Sequence, residues 1–304
     1  MRLGIDAMGG DFAPEVAVKG AVMALEQLDK DTTIVLFGDE PIIRSLLDKE
    51  GCDSPRIEIV ATDEVIEMDE HAVKAFRQKS NSSIAVGFRH LGEGLIDAFA
   101  SAGSTGAMLV GAMQLRSEDS EVERPALATV VPSITGASVV LLDLGLNVDC
   151  KPSVFDHYAK LGAEFATREL GVKRPRVALL NIGKEPTKGN LQARSAHKIM
   201  QASGEEGVYN FVGNIEASHL FTAEVADVVV CDGFVGNVVL KLMEGLYAIN
   251  RQCGTTNTFW EGMDYEVRGG TPILGIDAPV VIGHGRSTAL AICNMILTTE
   301  RHAR

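Results

Sequence analysis

Leu95-Ile96-Asp97-Ala98-Phe99-Ala100-Ser101-Ala102-Gly103-Ser104-Thr105-Gly106-Ala107-Met108-Leu109-Val110-Gly111-Ala112-Met113 is the stretch on which the fold turns. Its apolar run from Ile96 to Ala100 predicts a buried strand, and Ser101 to Gly106 a small-residue turn. Apolar spacing then resumes at Ala107, Met108, Val110, Gly111, Ala112 and Leu115 with a helical period. Between strand and helix, such a turn lets backbone N–H groups converge beside the positive end of the helix dipole, which suits an oxyanion or phosphate. The hydroxyls of Ser101, Ser104 and Thr105 add donors. A tight connection in which Ser or Thr caps the helix explains the same residues. The two explanations are separated only by what the other strand ends carry.

Upstream, Arg2 to Ala7 predicts a strand broken by Met8-Gly9-Gly10-Asp11 before Pro14 opens a helix. Asp11 is expected to cap that helix and Asp6 to orient a donor. Thr33 to Phe37, Pro41 to Lys49 and Arg56 to Ala61 continue a β-α-β-α-β rhythm. Asp63 to Arg89 is polar and mostly helical; there Arg77, Lys79, Ser82 and Ser83 offer anion ligands, whereas His71, flanked by acids, is expected to be exposed or structural.

Downstream, Ala126 to Pro132 and Ala137 to Asp143 flank Ser133-Ile134-Thr135-Gly136 and predict an antiparallel hairpin. The second run empties into Asp143-Leu144-Gly145-Leu146-Asn147. A helix from Ser153 to Leu170 leads to the strand Arg176 to Asn181, the loop Asn181 to Asn190 with Lys184 and Lys188, and a helix from Leu191 to Ala202. Asn210 to Gly213 exits through Asn214, and Ala226 to Cys231 through Asp232-Gly233-Phe234-Val235-Gly236-Asn237 into a further helix. An apolar run from Ile273 to Ile282, then His284-Gly285-Arg286-Ser287, precedes a closing helix from Thr288 to Glu300. Apolar strands that repeatedly end in Gly, Asp, Asn, Ser or Lys and hand over to helices predict an α/β fold. The expected form is Rossmann-like, with three α/β/α layers, a mostly parallel sheet carrying an antiparallel hairpin, and ligands at the carboxyl edge. No linker or repeat interrupts it, so residues 1–304 are expected to form one domain.

Composition narrows the chemistry. With 304 residues, 46% of them hydrophobic, the chain can bury a large core. A net charge of −13 argues against nucleic acid as a partner. No apolar window reaches the roughly eighteen residues of a membrane span, and Asp6 falls inside what would be a signal-peptide core, so a cytoplasmic protein is expected. Five scattered cysteines without CxxC spacing read as reduced thiols, not a zinc site or disulfide framework. GxGxxG, P-loop, HExxH and GxSxG patterns are absent, so neither cofactor nor metal is expected. Glycine turns, loop lysines and strand-end amides instead hold an anion and polarise a carbonyl without a covalent nucleophile. Phosphate fits as the attacker.

Taken in order, these motifs resemble those of the bacterial PlsX phosphate acyltransferase family. The resemblance rests on Asp6-Ala7-Met8-Gly9-Gly10-Asp11, Arg77 with Lys79 and Ser82-Ser83, Ser101 to Ala107, Arg124-Pro125-Ala126-Leu127 and Leu142 to Gly145. Further along it includes Asn181-Ile182-Gly183 with Lys188-Gly189-Asn190, Gly213 to Glu216, Asp232 to Asn237 with Lys241 and Glu244-Gly245, Gly269-Gly270, and His284-Gly285. It implies a fold related to isocitrate and isopropylmalate dehydrogenases and to phosphotransacetylases. The activity implied is transfer of an acyl group from acyl carrier protein to inorganic phosphate at the start of phospholipid synthesis, by a homodimer with peripheral membrane association. Ser104 stands where the family usually has Asn, Leu146 where it has Ala, and Ala217-Ser218-His219 where it has Gly-Arg-Asp. The stretch Leu246 to Tyr265 is shorter than the amphipathic helical pair expected there.

The catalytic residues expected are Lys188 for the phosphate and oxyanion charge, Asn237 and Asn181 as amide donors, and His284 as the acid for the leaving thiolate. Binding is assigned to Asp6, Gly9, Gly10, Lys79 and Ser83; to Ser101, Gly103, Ser104, Thr105 and Gly106; and to Asp143, Asn147, Asn214, Asp232 and Gly236. An acidic carrier protein must dock on a local basic patch, either Arg194 with Lys198 or Lys74 with Arg77. A carrier-binding scaffold without catalysis and a dehydrogenase of the same broad fold remain as alternatives.

Overall fold

A computed structural model describes residues 1–116, 124–255 and 257–304. The chain begins β1 (Arg2–Asp6), α1 (Glu15–Ala24), β2 (Thr33–Gly38), α2 (Glu40–Lys49), β3 (Ile57–Ala61), α3 (Ala72–Gln78), α4 (Ser83–Gly92), β4 (Ala98–Ser101) and α5 (Thr105–Gln114). Next come β5 (Ala126–Pro132), β6 (Ser138–Leu142), α6 (Pro152–Leu170), β7 (Arg176–Leu180), α7 (Leu191–Glu205), β8 (Asn210–Ile215), β9 (Val228–Val230), α8 (Gly233–Gln252) and α9 (Thr258–Glu261). It closes with α10 (Tyr265–Arg268), β10 (Thr271–Leu274), β11 (Val280–Ile282) and α11 (Ala289–His302). Among the described residues no helix is long and apolar enough to cross a membrane.

These elements group into two compact units. The first combines residues 1–116 with Tyr265–Arg304, and its strands lie in the order β3-β2-β1-β4-β11-β10. All neighbours are parallel except β10 against β11. Alternation along the strands divides its core into two faces. Leu3, Ile5, Ile34, Leu36, Ala98 and Ala100 pack with α1 and α11. On the opposite face Phe37 and Phe99 meet Phe88 and His90 of α4 edge-on, with ring centroids 5.1 to 5.8 Å apart. Helices thus cover both faces. Gly20 in α1 has a packing reason: a Cβ there would lie 2.6 Å from Ile292, so only glycine lets α1 and α11 approach so closely.

The second unit holds residues 124–255 and 257–264, with strand order β5-β6-β9-β7-β8. The expected hairpin is present as β5 antiparallel to β6; β6, β9, β7 and β8 run parallel. Gly162 of α6 sits on Val228 and Leu142, where a Cβ would come within 2.5 Å, and α6 stops at Gly171 in the left-handed region (φ 68°).

One local expectation is corrected. Asp11 does not cap α1: its backbone N–H donates to Gly285 O at 2.8 Å, and Pro14 occupies the N-cap without a side-chain bond. A tertiary contact outweighs the local N-cap preference there. The run Ile273 to Ile282 is two antiparallel strands, split where Gly275 takes a positive φ of 83°.

Candidate active site

In the first unit, adjacent strands β1, β4 and β11 open their carboxyl ends side by side. Asp6 ends β1 and is buried. Its Oδ1 accepts Met8 N–H at 3.0 Å, and its Oδ2 accepts the Ser101 hydroxyl at 2.6 Å, with Ser83 donating as well. Ser101 Oγ in turn accepts Gly103 N–H at 2.9 Å, and Gly283 N–H reaches Ser101 O at 2.8 Å. Burial pushes the Asp6 carboxyl up, against the hydrogen bonds from Ser101, Ser83 and the N–H groups of Met8 and Gly9.

Glycine is required where these turns touch. A Cβ on Gly9 would lie 2.2 Å from Asp6 Oδ2 and 2.7 Å from Gly103 N, and Gly10 holds a positive φ of 111°. Ser104 caps α5 by accepting Ala107 N–H, which leaves the N–H groups of Thr105 and Gly106 in a first turn that offers them no helical carbonyl. His284 Nδ1 accepts Arg286 N–H at 3.1 Å, so the neutral ring carries its proton on Nε2; the ring lies on Tyr265 at 4.8 Å.

The second unit repeats the arrangement at β6, β9, β7 and β8. Asp143 follows β6 and is wholly buried. Its carboxylate accepts the N–H groups of Leu127 (3.0 Å), Leu146 (3.3 Å) and Asn147 (2.7 Å), while burial pushes its pKa up. Asn147 Nδ2 donates to Pro125 O and the Tyr158 hydroxyl, and Arg124 donates to Asn147 Oδ1. Both polar side chains therefore serve the loop. Against it docks the start of α8, capped by Asp232, which accepts Val235 N–H at 2.8 Å. Gly236 approaches so closely that a Cβ would fall 1.8 Å from Asp143 O. One residue on, Asn237 is exposed and makes no side-chain hydrogen bond among the described residues.

The lysine loop leaves β7. Asn181 ties it down twice, accepting Ile182 N–H at 2.8 Å and donating to Lys188 O at 3.2 Å. Asn214 at the end of β8 donates to Glu185 O at 2.9 Å, the carbonyl that also accepts Lys188 N–H at 3.0 Å. Gly189 closes the turn at φ 93°, and Asn190 caps α7 through Ala193 N–H. Lys184 and Lys188 are exposed and form no ion pair among the described residues. Neither thiol of this unit's core competes as a nucleophile: Cys150 and Cys231 are buried, which pushes Cys150 up to about 11.

Asp6, Gly9, Gly10, Ser83, Ser101, Gly103, Ser104, Thr105, Gly106 and His284 thus belong to the first unit. Asp143, Asn147, Asn181, Lys188, Asn214, Asp232, Gly236 and Asn237 belong to the second. Lys79 is committed elsewhere, to Glu70 at 2.5 Å and Val65 O at 2.6 Å. Two residues escaped sequence reasoning. Tyr158 bonds Asn147, and the buried His197 bonds Asn214 Oδ1 through Nδ1 at 2.8 Å. His197 falls seven residues after the Asn190 cap, on the same helix face, but nothing in the sequence pairs it with Asn214.

This α/β architecture is that of the phosphotransacylases and of some dehydrogenases. A phosphotransacetylase from Streptococcus pyogenes superimposes with a TM-score of 0.69 at 18% identity, covering 99% of this chain and 94% of its own. A branched-chain phosphotransacylase from Enterococcus faecalis V583 gives 0.66 at 16% identity, with 100% and 99% covered. A 4-hydroxythreonine-4-phosphate dehydrogenase from Burkholderia phymatum gives 0.54 at 15% identity, covering 99% of this chain and 97% of its own. At these identities the likeness is one of fold.

The sequence match is narrower. The family described as fatty acid synthesis protein matches residues 1–304. The phosphate acyltransferase of Dictyoglomus thermophilum is 37% identical over 99% of this chain and 94% of its own, and that of Thermoanaerobacter pseudethanolicus 41% over 97% and 92%. The chain belongs to this phosphate acyltransferase (PlsX) family and is an enzyme of it.

Proposed function

We propose that the enzyme transfers a fatty acyl group from the thioester of acyl carrier protein to inorganic phosphate, giving an acyl phosphate for phospholipid synthesis. A phosphate oxygen attacks the thioester carbonyl, the carbon–sulfur bond breaks, and the thiolate leaves with a proton. Family membership supports the acyl and phosphate chemistry. The observation that carries the site is Lys188, a cation without a carboxylate partner among the described residues, on a loop pinned by amides at a parallel sheet's carboxyl edge.

In this reading Lys188 balances the charge of phosphate and of the developing oxyanion, with Asn181 and Asn237 as amide neighbours. The bend Ser101 to Gly106 presents first-turn N–H groups of α5 to an anion. His284, with its proton on Nε2, offers a hydrogen bond to the departing thiolate, and the proton the thiol keeps comes from the attacking hydrogen phosphate. No cofactor takes part. Exposed Arg194 and Lys198, one turn apart on α7, form the patch for the acidic carrier protein, and their contribution weakens with salt. Exposed Phe234, Val238, Leu242 and Ile249 along α8 support a homodimer; peripheral association with the membrane from the cytoplasm completes the proposal.

Phosphate-dependent appearance of free thiol from acyl carrier protein, followed with a thiol reagent, tests the reaction. No release above a phosphate-free control removes it. Lys188→Met tests the site: losing this contact lowers turnover on the order of a hundredfold, while the thermal midpoint stays unchanged because the side chain is exposed. Full turnover in that variant takes Lys188 out of the mechanism.

A further inference from the structure

Both ends of the Asn214 amide are used, and their order can be deduced. Glu185 O is an acceptor only, so the atom 2.9 Å from it is the amide nitrogen. The amide oxygen therefore faces His197, and at 2.8 Å His197 Nδ1 must carry the hydrogen. A directed chain results: imidazole N–H to amide oxygen, amide N–H to Glu185 carbonyl, with Lys188 N–H on that same carbonyl. All of it lies in the second unit. His197 is buried on α7, edge-on to Phe211 with ring centroids 5.2 Å apart, so the ring has little freedom to turn. Flipping the Asn214 amide would set two donors face to face at His197 and two acceptors at Glu185.

We infer that His197 and Asn214 are positioning residues that hold the turn Glu185-Pro186-Thr187-Lys188 in the one arrangement that presents Lys188 to phosphate. The inference rests on the phosphate-transfer reading for its kinetic consequence only. Neither residue touches the reacting atoms. They act through the carbonyl that closes the turn, and the exposed loop has few other tethers, chiefly Asn181 on Lys188 O. Displacing a charge by about 1 Å is enough to cost on the order of a hundredfold in rate.

Three variants of the full chain test this by amide hydrogen exchange across residues 182–189 together with steady-state kinetics. His197→Leu removes the donor. His197→Asn returns one, because an asparagine Nδ2 occupies nearly the place of an imidazole Nδ1. Asn214→Asp keeps an acceptor for His197 but sets an oxygen against Glu185 O. We expect exchange in the loop to quicken at least tenfold in His197→Leu and Asn214→Asp, with the phosphate KM rising about tenfold and the thioester KM unchanged. His197→Asn should recover both the slow exchange and the low phosphate KM, even though it shares the lowered melting point of His197→Leu. A structural role alone would make the two His197 variants fail together. That result, or unchanged loop exchange in Asn214→Asp, overturns the relay. Should the native enzyme release no thiol with phosphate, the reaction fails as proposed while the exchange data still decide the relay.

Discussion

Asp6 in the first unit and Asp143 in the second occupy equivalent stations, each a buried acid where a parallel strand empties into a glycine turn, yet their surroundings are finished differently. Asp6 is held by hydroxyls from two other segments, Ser101 and Ser83, besides the N–H of Met8. Asp143 is held by backbone N–H groups of Leu127, Leu146 and Asn147. Unpartnered, a buried carboxylate costs several kcal/mol, so both turns are shaped to satisfy it. The polar groups left over differ. Around Asp6 they are first-turn N–H groups of α5; around the second edge they are long side chains, Lys188 and Asn237. Strand-end acids are framework in both places, and the groups available for chemistry are those the framework leaves unbonded.

The severest way to break this comparison is to spoil the close approaches on which each frame depends. Gly236→Ala would force a Cβ to within 1.8 Å of Asp143 O, a backbone atom that cannot swing aside. Gly9→Ala meets Asp6 Oδ2 at 2.2 Å and Gly103 N at 2.7 Å. Each is expected to lower stability by about 3 kcal/mol or more, the upper range for overpacking, as a fall in the denaturant midpoint. Gly145→Ala is the control: its Cβ would meet Asn237 only at 3.5 Å, leaving the strain of φ 133° at about 1–3 kcal/mol. Near-native stability in Gly236→Ala would mean that α8 does not dock on the Asp143 loop as described.

A titration makes the framework role visible at smaller amplitude. Asp6 has a raised folded-state pKa, so its stabilising contribution is complete below the unfolded value of about 3.9 and is lost as pH rises through the folded value. Asparagine at this position does not titrate. The stability gap between wild type and Asp6→Asn should therefore narrow as pH rises from about 4 to 7, and Asp143→Asn should behave alike. Asp227 supplies the opposite sign. Burial opposes its ionisation, but Arg176, bonded to both of its oxygens at 2.8 and 3.0 Å, holds it below the usual carboxylate range. Its contribution is present above about 3.9 and lost as pH falls through the folded value, so the gap to Asp227→Asn should widen as pH rises over the acid range. Chemical unfolding at stepped pH reads all three, and parallel behaviour of Asp6 and Asp227 would refute the assignment.

What could be read from the chain alone follows the range of the interactions involved. Hydrophobic runs with glycine, acid and amide exits are local signals, so the strand and helix order was legible, as was the hairpin at Ser133 to Gly136. Those same signals put Asp6, Ser101, Asp143 and Asn181 at strand ends, and Asn237 on the helix that follows one. They carry no information on which polar atoms stay free. Lys79 reads as an anion ligand until Glu70 is found against it. Asn214 reads as a substrate donor until His197 and Glu185 are found on its two ends. Asp11 reads as a helix cap until Gly285 O is seen to take its N–H. In each case a partner remote in sequence decides. The grouping into two units was legible only in part: the charge-rich stretch from Arg116 to Pro125 accompanies one boundary, but no local signal shows that the first unit is completed by the last forty residues, Tyr265–Arg304.

The finest distinction between the two edges is drawn at their helix caps. Ser104 and Asp232 do the same structural work, each accepting the N–H three residues on, at 3.3 and 2.8 Å. Alanine at either should cost about 1 kcal/mol, and slightly more at Asp232, where the bond is charge-assisted and favours the helix dipole. Ser104→Asp separates capping from anion binding, because aspartate caps as well as serine yet places a negative charge beside the first-turn N–H groups of α5. If the Ser101 to Gly106 bend holds phosphate, this variant raises the phosphate KM at least tenfold above that of Ser104→Ala, whatever the charge at this buried cap costs in melting point. If the two KM values agree, the bend is only a connection between β4 and α5, and the anion chemistry belongs to the lysine loop alone.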